Sequence, residues 1–171
     1  MIRELSLHPM QANKKARVLF LIAILISALG FVTCFVLDKY KDVIATASVM
    51  MLATAILFYV KYISPEFYYD IAFDSEGVPV FVVRRIIGKR QTILSRIGLA
   101  DIVSVVKQSS AEKKTHKTLA GYKTYSYTPT LMPKATYLIT VEALYDSAEI
   151  RIEGTDEFAE LLREYSIEAR L

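Results

Sequence analysis

The sequence predicts an α+β chain: an N-terminal transmembrane helical hairpin, then a small antiparallel β-barrel of about seven strands, capped by a C-terminal helix. Three observations carry this. Residues 18–37 and 43–60 are uncharged apolar runs separated by five polar residues. Beyond residue 65, apolar side chains recur at every second position in short runs broken by turn residues. After the last run, Phe158, Leu161, Leu162 and Tyr165 recur at helical spacing.

Composition bounds the rest. A chain of 171 residues is one domain, or a small domain with an anchor. Its apolar fraction of 53% and mean hydropathy of +0.32 are high for a soluble protein. Six glycines and five prolines exclude collagen-like and low-complexity chains. One cysteine excludes an intrachain disulfide framework, and two histidines, His8 and His116, leave little for a metal or catalytic cluster. The reading therefore has no metal site, no cofactor and no catalytic residue.

The first span, VLFLIAILISALGFVTCFVL, reaches about 30 Å as a helix, the thickness of a bilayer core. The second, VIATASVMMLATAILFYV, reaches about 27 Å, with Tyr59 and Tyr62 placed for an aromatic belt. The roughly 110 remaining residues are too few to bury two helices that are apolar all round. A cleaved signal peptide has a shorter apolar region and no second span close behind it. Ala23, Ser27, Gly30 and Cys34 fall on one face of the first helix, and Ala45, Ser48 and Ala55 form a similar strip on the second. Small faces let helix backbones approach closely in lipid, and Cys34 reads as an inert thiol within that strip.

Lysine and arginine set the orientation. Arg3, Lys14, Lys15 and Arg17 precede the first span, Lys61 follows the second, and the turn holds Lys39 and Lys41. The expectation is a cytoplasmic segment at 1–17, both termini inside and the turn outside.

The strands follow in order. YYDIAFD (68–74) alternates, with Tyr69, Ile71 and Phe73 on one face. VFVVRRII (80–87) is β-branched and continuous, and Gly88, Lys89, Arg90 and Gln91 make a hairpin turn into TILSRI (92–97). IVSVVKQ (102–108) is next, then a polar loop over 109–121 and YKTYSY (122–127). Two prolines, Pro129 and Pro133, keep the following stretch out of a central strand. In ATYLITVEAL (135–144), Tyr137, Ile139, Val141 and Ala143 share a face. After a turn at Tyr145–Ser147, AEIRIE (148–153) places Ile150 and Ile152 inward and Glu149, Arg151 and Glu153 outward. Thr155 is the expected N-cap, with Asp156 and Glu157 at the positive end of the helix dipole.

This arrangement resembles the bacterial pleckstrin-homology-like membrane proteins, in which two transmembrane helices precede a small barrel closed by a C-terminal helix. The likeness is carried by the hairpin, the run 85–90 entering a turn, the stretch IGLADIVSV (97–105) and the helix 156–165. The insert at 109–133 departs from the family pattern. The resemblance implies a barrel domain over 66–171 on the cytoplasmic side of the bacterial inner membrane.

Charge is uneven along that domain. Residues 84–134 hold eleven cations against Asp101 and Glu112, whereas 142–171 hold nine acids against Arg151, Arg163 and Arg170. A basic surface beside an anionic leaflet gains about 1 kcal/mol per Lys or Arg. Lys14, Lys15, Arg17, Lys61, Arg84, Arg85, Lys89 and Arg90 are the candidate membrane or headgroup contacts. The same charges also serve as solvated guards of strand edges. No nucleic-acid motif accompanies them. The carboxylate pairs Asp70/Asp74 and Glu149/Glu153 have the spacing of solvated strand faces, and the tyrosines at 122, 125, 127 and 137 read as packing or as a recognition surface. The function expected is a non-enzymatic, membrane-tethered interaction module that uses anionic lipids or a protein partner. The alternative is an accessory subunit of a larger membrane complex assembled through the hairpin.

Overall fold

The computed structural model describes residues 2–9, 14–108, 121–131, 133, 135–144 and 147–171. The polar loop with Glu112, Lys113, Lys114, His116 and Lys117, the lone Lys134 and the turn residues Tyr145 and Asp146 lie outside the described residues. The chain is α+β and divides into two compact units, an apolar helical pair over Ala12–Pro65 and a unit joining the N-terminal residues to Glu66–Leu171.

In the first unit, α1 (Lys14–Cys34) and α2 (Lys41–Phe58) are antiparallel helices, and α2 continues through one π-helical turn, Tyr59–Ile63. Ser64 N donates to Tyr59 O at 2.8 Å and closes that turn. α1 ends at Cys34, three residues before the apolar run does, because Phe35 and Val36 bond back to Val32 and Thr33 in tight turns. Both helices are long and apolar enough to cross a membrane. Their outer faces are apolar too: Leu21, Leu25, Val32, Met50 and Leu57 are each about 60% or more exposed.

The second unit holds two four-stranded sheets and α3 (Asp156–Glu168). The first sheet runs β1 (Leu5–Leu7), β2 (Pro65–Phe73), β3 (Pro79–Ile87), β4 (Arg90–Gly98) in that order. The second is ordered β5-β7-β8-β6, from β5 (Ile102–Gln108), β6 (Lys123–Tyr127), β7 (Thr136–Glu142) and β8 (Ser147–Glu153). A 3-10 turn, Leu99–Asp101, carries the chain from one sheet to the other.

Four expectations need correction. There are eight strands among the described residues, not seven, because β1 lies in the segment before the helices and pairs with β2 (Ser6 opposite Asp70). The sheets do not close into a barrel: β4 and β6 end their sheets. Glu149, expected in solvent, is 1% exposed, since Gln108, Thr136 and Leu138 on the same outer face are buried as well. Phe73 and Ala143 sit at strand ends, outside the core that Tyr69, Ile71, Tyr137, Ile139 and Val141 enter.

The core forms where the two sheets and α3 converge. Tyr69, Phe81 and Phe158 meet with ring centroids 6.4–6.5 Å apart, and Leu99, Ile102, Ile150, Ile152 and Leu162 fill the space around them. The Tyr69 hydroxyl donates to Tyr127 O at 2.6 Å and accepts from Glu153 N, so its polar end is satisfied inside the core. Thr155 caps α3 as its sequence indicates, accepting from Phe158 N at 3.3 Å.

Candidate functional site

Two surfaces in the sheet unit carry concentrated chemistry: the β3–β4 turn and the outer face of the first sheet. The turn is tight because Gly88 takes a φ of +60°, a left-handed conformation that glycine adopts without a Cβ penalty. Around it Lys89 and Arg90 are exposed, and so are two isoleucines, Ile87 (39%) and Ile93 (57%). Ile87 lies opposite Arg90 in the ladder, so one apolar and one cationic side chain share a face at the tip. β1 ends, and β2 begins, at this same end of the sheet. The turn thus sits where the chain leaves the sheet for the helices and returns from them.

Arg84 and Arg85 do not join that tip. The Arg84 guanidinium pairs with the Asp70 carboxylate and lies over the Tyr68 ring, 5.8 Å from its centroid. The hydrogen bond to Asp70 pushes the Arg84 pKa up, which locks its charge in place. Asp70 also accepts from the Ser6 hydroxyl at 2.5 Å, and His8 stacks on Tyr68 at 4.4 Å. The cluster therefore clasps β1, β2 and β3 together across their outer face. An open groove of about 490 Å³ runs beside it, lined by Glu4, Ser6, Asp70, Ala72, Val82 and Arg84. Arg85 is half-buried, and its Nε has no hydrogen-bond partner. Sequence reasoning missed this clasp: Ser6, His8, Tyr68 and Asp70 are scattered in the chain and meet only through strand register.

The other predicted cations lie on the helical unit. Lys14, Lys15 and Arg17 are exposed on the first turns of α1, and Lys61 is exposed in the π turn with its Nζ 5.4 Å from the Tyr62 ring centroid. Contact between the Phe20 and Tyr59 rings, 5.7 Å apart, places these cations at one end of the pair. The small residues face the helix interface. Ala23, Ser27, Cys34, Ser48 and Ala55 are buried, with Gly30 and Ala45 half-buried. Ser27 Oγ donates to Ser48 O at 2.9 Å, and Cys34 Sγ lies 3.7 Å from Lys41 O.

Among the described residues no group of His, Cys, Asp and Glu side chains is placed to hold a metal ion. The tyrosines divide. Tyr137 is in the core and donates to Asp156 at 2.6 Å, and burial followed by that bond pushes its pKa up to about 12. Tyr125 and Tyr127 stack at 6.2 Å on the inner side of β6, and the Tyr122 hydroxyl donates to Glu142. The chemistry in view is amphipathic contact and electrostatic docking. Comparison with known proteins adds no name to this geometry, for no family model, curated protein or solved structure matches the chain.

Proposed function

We propose that the chain is an integral protein of the bacterial inner membrane. Its helical pair crosses the bilayer twice, both termini are cytoplasmic, and its pleckstrin-homology-like domain docks on the anionic inner leaflet. In this reading it works as a membrane-tethered interaction module without catalytic activity. The single observation that carries the docking is the β3–β4 turn, which presents Ile87 and Ile93 beside Lys89 and Arg90 at the end of the sheet that connects to the helices. Each isoleucine contributes up to about 1.5–3 kcal/mol if it is fully withdrawn from water. Each cation adds about 1 kcal/mol beside anionic headgroups.

The test uses the full chain in lipid nanodiscs. On a Cys34→Ser background, Ile87→Cys is labelled with an environment-sensitive dye. The emission shifts to the blue in discs containing phosphatidylglycerol, and high salt or Lys89→Glu with Arg90→Glu reverses the shift. An emission that is the same in anionic and neutral discs contradicts the docking.

A further inference from the structure

The two sheets leave a cleft where they fail to meet. It encloses about 310 Å³ and is lined by Leu94 and Ile97 of β4, Tyr125 and Tyr127 of β6, Val141 of β7 and Ile150 of β8. These side chains are apolar or aromatic and continuous with the core, so the cleft opens the interior of the unit to its surroundings. The stacked rings of Tyr125 and Tyr127 make one wall.

β4 borders this cleft. It pairs with β3 on one side and has no ladder partner on the other among the described residues. It is nine residues long and contains no proline, so its outer backbone groups form a continuous template. One bond crosses the gap, from the Tyr127 hydroxyl to the Leu94 carbonyl, at a long 3.4 Å. It falls at the bulge opposite Val83 and Arg84, where the ladder is already irregular.

Charge selects the occupant. The strands flanking the cleft carry Arg90 and Arg96 on β4 and Lys123 on β6, and neither strand carries an acid. Arg96 is half exposed, and its pairing with Asp74 is loose at 3.8 Å. Asp74 is held by its own turn, accepting from Val78 N and Glu76 N at 2.8–2.9 Å. Asp101 also lines the cleft, but it lies beyond the end of β4, beside Gly98.

We propose that this cleft receives an extended peptide segment of a partner protein. The segment adds as a strand to β4, with apolar residues at alternate positions against Tyr125 and Tyr127 and acidic residues between them. Main-chain bonds supply affinity in such an addition, and the alternate side chains supply selectivity.

The experiment measures fluorescence anisotropy of labelled peptides against the full chain in nanodiscs of neutral lipid, which removes the leaflet from the readout. The probes are a short peptide alternating valine and glutamate, its counterpart with lysine for glutamate, and the acidic peptide N-methylated at alternate residues. The acidic peptide binds saturably, and the other two bind about tenfold or more weaker. Arg96→Glu weakens the acidic peptide and narrows its advantage over the lysine peptide. Equal binding of the lysine peptide, undiminished binding of the N-methylated peptide, indifference to Arg96→Glu or no saturable binding of the acidic peptide overturns the proposal.

Discussion

A Cβ added at Gly30 would collide with Ser48 Oγ and come within 3.3 Å of Ser48 Cβ, so the closest approach of α1 and α2 depends on a missing side chain. Gly30→Leu is expected to separate the helices and cost about 1–3 kcal/mol, read as a lowered unfolding midpoint of the full chain in detergent. Gly30→Ala with Ser48→Gly restores part of it. The pair Asp70–Arg84 is the corresponding point in the sheets. Asp70→Asn leaves a half-buried guanidinium with a weaker partner and is expected to cost about 1–3 kcal/mol in denaturant titrations. Ser6→Ala costs less, about 1 kcal/mol, because one neutral donor is lost. The small strip was legible because it repeats on the helical period within one continuous segment. The Asp70 clasp was not: its members belong to three strands, and the register that joins Ser6 to Asp70 leaves no trace in local spacing.

At the scale of elements, a period of two was enough to find β2 through β8, because alternate residues of each strand enter a core. β1 has three residues and no period to display, and it exists through its pairing with β2. Two elements are secured by carboxylates whose pKa values fall below the ordinary 3.8. Asp74 is held down by the backbone N–H groups of Val78 and Glu76, and Asp156 by Lys107 Nζ at 2.6 Å and by the Tyr137 hydroxyl. The unfolded chain therefore takes up protons near pH 3.8 while these native carboxylates are still ionised. Their stabilisation is complete well above that pH and is lost as the pH falls through it towards the lower native values. Urea unfolding at about pH 6 and about pH 3 is expected to show the loss, and Asp156→Asn to shrink the difference. Thr155→Ala removes the cap of α3 and is expected to cost about 1 kcal/mol at either pH.

At the scale of the molecule, the division into an apolar helical pair and a sheet-and-helix unit followed from composition alone, since the change in hydrophobic period at residue 65 is abrupt. The closure of the sheets did not follow. The order β5-β7-β8-β6, with β6 parallel to β8, depends on long-range pairing, and the insert after β5 hides it from local pattern. Likewise, four arginines and lysines that are near in sequence separate in space: Lys89 and Arg90 occupy the turn, and Arg84 is bound to Asp70.

The proposed double crossing is tested most directly by labelling single cysteines from either side of the inner membrane, on the Cys34→Ser background. Tyr40→Cys, in the short link between the helices, reacts with an impermeant maleimide applied to spheroplasts, and Leu171→Cys reacts only after the membrane is opened. Labelling of both positions from the same side would contradict the account.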